Sequence, residues 1–228
     1  MATKKSKEQN RRSSNPRETL DIDKIVQTAL TLLNESGLQQ LTTRRLAEAL
    51  GIRSASLYWH VRDKAELMQL LSESICGRLR LPDPNLPWQD QVLAFAREYR
   101  AVLLSIRDAA EILMETPPLL PNRLLLMEAM FKSLVQAGFP PEEIVMASML
   151  VNDYVLSFVK NETRATNASP EETSRSRDVL SQLPPEQYPT LFRLAPYMAS
   201  LNTDEHFEYG LHILLGSFRD RLENRAIR

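Results

Sequence analysis

Cysteine occurs once in 228 residues, at Cys76, so the chain can hold neither an internal disulfide framework nor a cysteine-rich zinc site. A reducing, cytoplasmic setting suits that count. Glycine is scarce at 6 residues, which disfavours glycine-rich phosphate loops and tight β-turns. There are 3 histidines, His60, His206 and His212. The last two are six positions apart, on different faces of any helix, and make a poor metal pair. No Gly-x-Ser-x-Gly, His-Glu-x-x-His or phosphate-loop signature occurs, and no acidic pair stands out from a solvated surface. An enzyme is therefore not expected, nor a cofactor or a bound metal. No uncharged apolar run approaches the roughly 20 residues needed to cross a bilayer. The N-terminus is polar and basic, without the apolar core of a secretory signal.

What is present is ordinary for a globular protein, 43% hydrophobic and 25% charged. The net charge of −1 hides an asymmetry. Residues 1–64 hold twelve Lys/Arg against seven Asp/Glu, leaving +5 there and −6 in the remainder. A basic segment favours phosphate contact and salt-dependent binding. Residues 1–18 lack apolar periodicity and read as a disordered basic tail. Its Lys4, Lys5, Lys7, Arg11, Arg12 and Arg17 are candidates for following a DNA backbone or entering a minor groove.

Helical periodicity begins at Ile22, Ile25, Val26, Ala29, Leu30 and Leu33 and stops at Gly37. Two short helices are expected around Gly51, then a longer one from Asp63 to about Arg80. Asp63 and Glu66 have the spacing of a capping box. The proline-rich run 81–87 suggests a boundary, with residues 19–81 before it and 82–228 after. Further helices are expected over Trp88–Ser105, Arg107–Glu115, Pro121–Ala137, Pro141–Asn161 and Asp204–Arg225. Residues 161–185 read as a mobile connection with at most a short helix. No strand pattern or repeat is present, so the chain is expected to be all-α.

The informative stretch is 42–61. Leu46, Ala47 and Leu50 make the inner face of a first short helix, and Ala47 is small where two helices cross. Gly51 sits at a turn. Ile52 and Leu57 fill the space beneath, and Ser54 and Ser56 are candidate caps for a second helix. This is the pattern of a helix-turn-helix, although the spacing alone also fits an ordinary αα-corner. The second helix would present Ser54, Ser56, Tyr58 and His60, flanked by Arg53, Arg62 and Lys64, side chains suited to base edges and phosphates.

Leu41-Thr42-Thr43-Arg44-Arg45-Leu46-Ala47, Leu50-Gly51, Leu57-Tyr58-Trp59-His60-Val61 and Lys64 together resemble the tetracycline-repressor (TetR) family of transcriptional regulators. Trp88-Gln89-Asp90, Leu103-Leu104-Ser105, Arg107-Asp108 and Gly138-Phe139 extend the likeness more loosely. The resemblance implies a repressor released from a palindromic operator by a small-molecule inducer. It implies that Arg44 reaches a guanine edge, that Thr43, Tyr58, His60 and Lys64 hold phosphates, and that Ser54, Ala55 and Ser56 lie nearest the bases. At those last three places the tetracycline-sensing members carry other residues, so a different operator is implied. Trp59 is expected to pack at the helix junction. A homodimer is implied, built from the two last long helices through the stripes Ile144, Ala147, Val151, Val155, Phe158 and Phe207, Leu211, Leu214, Leu215, Phe218, Leu222.

A ligand cavity in the second part is expected to use Phe95, Tyr99, Leu113, Met130 and Met149, with polar contacts from Thr116 and Asn152. Tetracycline-sensing members hold their drug as a magnesium chelate, with a histidine ahead of a Thr-Arg-Pro turn. Here the turn is Thr116-Pro117-Pro118 and the histidine's place falls on Leu113, which cannot ligate magnesium. A more apolar, metal-free inducer is implied. A non-specific architectural DNA binder is the alternative, and the size of the second helical domain argues against it.

Overall fold

The computed structural model describes residues 21–167, 169–199 and 203–226, so the basic tail and its proposed DNA contacts lie outside the described residues. The described elements are α1 (Ile22–Ser36), a 3-10 turn (Leu38–Gln40), α2 (Thr43–Ala49), α3 (Ser54–Leu57), α4 (Lys64–Cys76), α5 (Trp88–Leu104), α6 (Ala109–Glu115), α7 (Pro121–Gln136), α8 (Pro141–Thr166), α9 (Pro170–Ser181), α10 (Pro189–Ala199) and α11 (Thr203–Ala226). The all-α expectation holds, with no strand among the described residues.

Asp21 caps α1 by accepting the Lys24 N–H at 2.7 Å, and of the predicted face Ile25, Val26, Ala29, Leu30 and Leu33 are buried while Ile22, in the first turn, is exposed. Asp63 caps α4, accepting the Glu66 N–H at 2.8 Å. The return half of the predicted box is displaced by one residue: Glu66 accepts the Arg62 N–H at 2.6 Å. That bond, with the Arg62 guanidinium, holds the Glu66 carboxyl below its ordinary value.

Helix α4 stops at Cys76 rather than continuing to Arg80. The cause is tertiary. The Glu73 carboxylate accepts the Asn122 N–H at the start of α7, and the Asn122 side chain lies where a Cβ on Gly77 would stand. Helix α4 packs against α1, α6 and α7.

Helix α6 starts at Ala109, two residues later than expected, because Asp108 takes a left-handed φ of 56°. Aspartate tolerates that region better than most residues. From there its Oδ2 accepts the Leu38 N–H at 2.7 Å, while the Arg107 N–H donates to Asn34 Oδ1 at 3.0 Å. The turn before α6 thus grips the end of α1.

Helices α5, α8 and α11 are tied by charge as well as packing. Arg97 pairs with Glu208 through two bonds of 2.7 Å. Arg100 pairs with Glu162 and Asp204 and lies over the Phe207 ring, 4.8 Å from its centroid. The Arg100–Glu162 pair sits where α8 was expected to end, and the helix runs on to Thr166. The segment expected to be a mobile connection also contains α9, twelve residues long and opened by Pro170. Thr163 and Thr166 turn their hydroxyls back to α8's own carbonyls, so a polar composition does not prevent helix formation there.

The stripes assigned to the dimer face inward instead. Ile144, Ala147, Val151 and Val155, with Phe207, Leu211, Leu215 and Phe218, are buried within the chain itself, while Phe158, Leu214 and Leu222 pack partly buried against them. The apolar residues left exposed lie further round the same helices: Val145, Met146, Met149 and Leu150 on α8, and Tyr209 and Ile213 on α11.

Tyr154 reaches across to donate to the Phe207 carbonyl at 2.9 Å, and Gly210 leaves it the room to do so. Glycine in a helix interior usually costs about 1 kcal/mol relative to alanine. Here the sign is expected to reverse. A Cβ at Gly210 would meet the Tyr154 ring atoms at 2.6 and 2.8 Å, so Gly210→Ala is expected to destabilise by about 1–3 kcal/mol in urea unfolding.

Candidate DNA-reading surface and ligand cavity

The helix-turn-helix is built by caps and a glycine turn. Thr42 accepts the Arg45 N–H at 3.2 Å and starts α2. Leu46 and Ala47 are buried against α1 and α3. At the other end the Ile52 N–H reaches the Ala47 carbonyl at 3.0 Å and the Gly51 N–H reaches the Glu48 carbonyl at 3.1 Å, a Schellman closure. It requires φ +68° at Gly51, and nothing lies within 4 Å of a Cβ there. The demand for glycine is therefore one of backbone conformation alone.

Helix α3 has Arg53 at its N-cap and no side-chain cap bond, so Ser54 and Ser56 do not cap it as expected. Both face solvent, together with Ala55 and Tyr58. Arg44 and Lys64 are exposed, and Thr43 and His60 are half-buried. Arg44 holds Glu48 at 2.9 Å with its side chain 84% exposed, an exposed pair that costs little to break.

Trp59 was expected at the helix junction but is 89% exposed. Leu57 and Val61, four residues apart, take the inward face, and a residue two positions from Leu57 must point away. That spacing was the available signal. Trp59→Ala is accordingly expected to change stability by less than about 0.5 kcal/mol in thermal melts.

A cavity of about 340 Å³ lies between α4, α5, α7 and α8. Of the expected lining residues, Phe95, Tyr99, Met130, Met149 and Asn152 are there. Leu113 and Thr116 are not. They border a neighbouring opening of about 430 Å³, which shares Arg123 and Asn152 with the first. The Thr116 hydroxyl is turned back onto the Ile112 carbonyl at 2.7 Å, and Leu113 is core. Cys76, Arg123, Leu126, Met127, Phe131 and Ser148 complete much of the lining. Burial pushes the Cys76 thiol up to about 11, so it is a neutral, unreactive wall at neutral pH. Burial likewise pushes the Tyr99 phenol up, keeping it a neutral hydroxyl.

The two sites share one helix. Helix α4 begins beside α3, at the Asp63 cap and Lys64, and ends at Cys76 in the cavity wall, about 20 Å further on.

Residues 25–71 match the family described as bacterial regulatory proteins, tetR family, and residues 81–221 match the tetracyclin repressor-like C-terminal domain. The chain belongs to the TetR family. The class E tetracycline repressor protein of Escherichia coli is 34% identical over 209 residues, covering 90% of this chain and 94% of that protein. An HTH-type transcriptional regulator of Saccharopolyspora erythraea is 36% identical over 153 residues, covering 67% of this chain and 65% of that protein. Among solved structures, apo ActR from Streptomyces coelicolor superposes with a TM-score of 0.80 at 30% identity, covering 90% of this chain and 98% of ActR. ActR in complex with actinorhodin gives 0.78 at 31%, covering 88% and 95%.

As a TetR-family member the chain is a DNA-binding transcriptional regulator. Among its described residues no helix is long and apolar enough to cross a membrane.

Proposed function

We propose that this TetR-family protein is a repressor that holds a palindromic operator as a homodimer and lets go when a small, metal-free molecule fills the cavity beside α4. The single observation that carries the proposal is that α4 borders both the DNA-reading motif and the cavity. Residues 19–81 read DNA, and residues 82–228 bind ligand and dimerise. Arg44 reaches a guanine edge, the commonest specific arginine contact in a major groove. Thr43, Tyr58, His60 and Lys64 hold phosphates, and Ser54, Ala55 and Ser56 lie at the bases. The exposed apolar residues of α8 and α11, rather than the buried stripes, form the dimer contact. No enzymatic step is assigned to any residue.

Two recognition helices in a dimer read half-sites about 34–36 Å apart. A ligand that prefers a different spacing of those helices weakens DNA binding by its differential affinity for the two states. Phe95, Tyr99, Met130, Met149 and Asn152 provide an apolar chamber with few polar groups, as ligand sites generally do.

The cavity does not fit a magnesium chelate. Its lining offers no histidine and no carboxylate, and magnesium needs oxygen ligands in octahedral array. Titration with tetracycline plus magnesium is expected to leave the melting temperature unchanged. A ligand at a hundredfold over its dissociation constant would add about 2.7 kcal/mol, a rise a thermal melt would register and which would overturn this reading.

Selection of bound sequences from a random duplex library, at near-physiological salt, tests the function. Enrichment of an inverted repeat is expected. Binding that enriches nothing and simply fades as salt rises would make the protein a non-specific architectural binder.

A further inference from the structure

Arg123 differs from the arginines that tie α5 to its neighbours. Arg97 and Arg100 each carry a two-pronged carboxylate partner. Arg123 carries none. Its Nη1 donates to the Thr116 carbonyl at 2.6 Å, the Thr116 hydroxyl at 3.0 Å and the Ser72 hydroxyl at 3.4 Å, and its Nη2 donates to the Leu113 carbonyl at 2.7 Å. All of these acceptors are neutral. Nε makes no hydrogen bond among the described residues, so part of the guanidinium fork is open.

The carbonyls it holds are those at the C-terminal end of α6, which together carry roughly half a negative charge. A full positive charge against half a negative one leaves the site cationic. The nearby carboxylates keep their charge but do not pair with Arg123. Glu73 accepts the Asn122 N–H at 2.8 Å, and Asp153 accepts from the Asn152 side chain at 3.1 Å.

This cation lines the 340 Å³ cavity and its neighbour alike. On α8, Ser148 lines the same cavity, and its hydroxyl, closed to solvent in this rotamer, has no hydrogen-bond partner. Buried polar atoms are normally satisfied, and rotation about χ1 would bring this one to a ligand's polar atom in the chamber. The remaining walls are apolar and adaptable: Phe95, Phe131, Met130 and Met149.

We propose that the inducer is an organic anion, an apolar body bearing a carboxylate that pairs with Arg123, with a polar substituent placed to meet Ser148. This rests on the reading of the cavity as the inducer site, and it adds a charge to an inducer otherwise expected to be simply apolar. Arginine forks match carboxylate geometry in a way that a neutral amide cannot reproduce.

The test uses two fluorescent probes that differ only at this group, anthracene-2-carboxylic acid and anthracene-2-carboxamide, titrated into the full-length dimer at pH 7. The carboxylate is expected to bind roughly 10- to 100-fold more tightly than the amide. Arg123→Gln is expected to erase that preference. Arg123→Lys, which keeps the charge and guards against simple misfolding, is expected to retain part of it. Equal affinities for the two probes, no binding of either, or a preference that survives in Arg123→Gln would overturn the proposal. A parallel titration uses protein bound to its selected operator duplex. Carboxylate that binds through Arg123 without releasing the duplex would leave the anion site standing and overturn the inducer reading instead.

Discussion

Arg44→Ala is expected to weaken binding to the selected operator at least thirtyfold. One two-pronged guanine contact discriminates by about 1–3 kcal/mol, and a dimer makes it twice, for about 2–6 kcal/mol in all. The side chain is placed to act without rebuilding the fold. It stands on the first turn of α2, solvent-exposed, and its contact is with Glu48 on its own helix. Breaking that pair costs a few tenths of a kcal/mol, so the free protein is expected to melt as the parent does. Fluorescence anisotropy on the operator and on a duplex changed at the contacted guanine measures both parts of the effect. If Arg44→Ala weakens the two duplexes equally and lowers the salt slope by about one per subunit, Arg44 is a phosphate contact and the assigned role is wrong.

The largest loss of stability is expected from Phe207→Ala, about 3–5 kcal/mol in urea unfolding. Phe207 is 1% exposed and is among the largest fully buried side chains of the described residues. Its ring stacks on Tyr154 at 5.6 Å, meets Phe158 edge-on at 5.1 Å and lies beneath Arg100. Truncation removes the apolar transfer, the ring contacts and the cation's partner together, and α11 has no other fully buried aromatic near that point. Domains of this size are stable by about 5–15 kcal/mol, so the change removes a fifth or more of the total. A loss below about 1 kcal/mol would mean that α11 does not pack on α8 through this residue.

Much of the DNA-reading half was legible in the residues because its determinants are local. A cap bonds a residue three positions away, and the Gly51 closure spans six residues from Ala47 to Ile52. Short-range spacing records such contacts directly. Where local reading failed there, at Trp59 and at the serines of α3, a cap or a packing role had been assigned to residues that the Leu57–Val61 face turns outward. The cavity was legible in part. Bulky apolar side chains on helices can be recognised as wall material, and Phe95, Tyr99, Met130 and Met149 were. Arg123 looked like any surface arginine of a helix start. Its role depends on where α6 ends, and no periodicity in α7 encodes that.

The sequence by itself determined the class of fold, the helix-turn-helix and its exposed face, and the family, since each rests on residues within a turn or two of one another. Tertiary structure decided where α4 stops and where α6 starts, through Glu73 with Asn122 and Asp108 with Leu38, pairs 49 and 70 residues apart. It decided also which side of α8 and α11 is core and which is left for a partner. An apolar stripe says that a helix face will be buried, but not against what, because burial is rewarded by area removed from water whatever surface covers it.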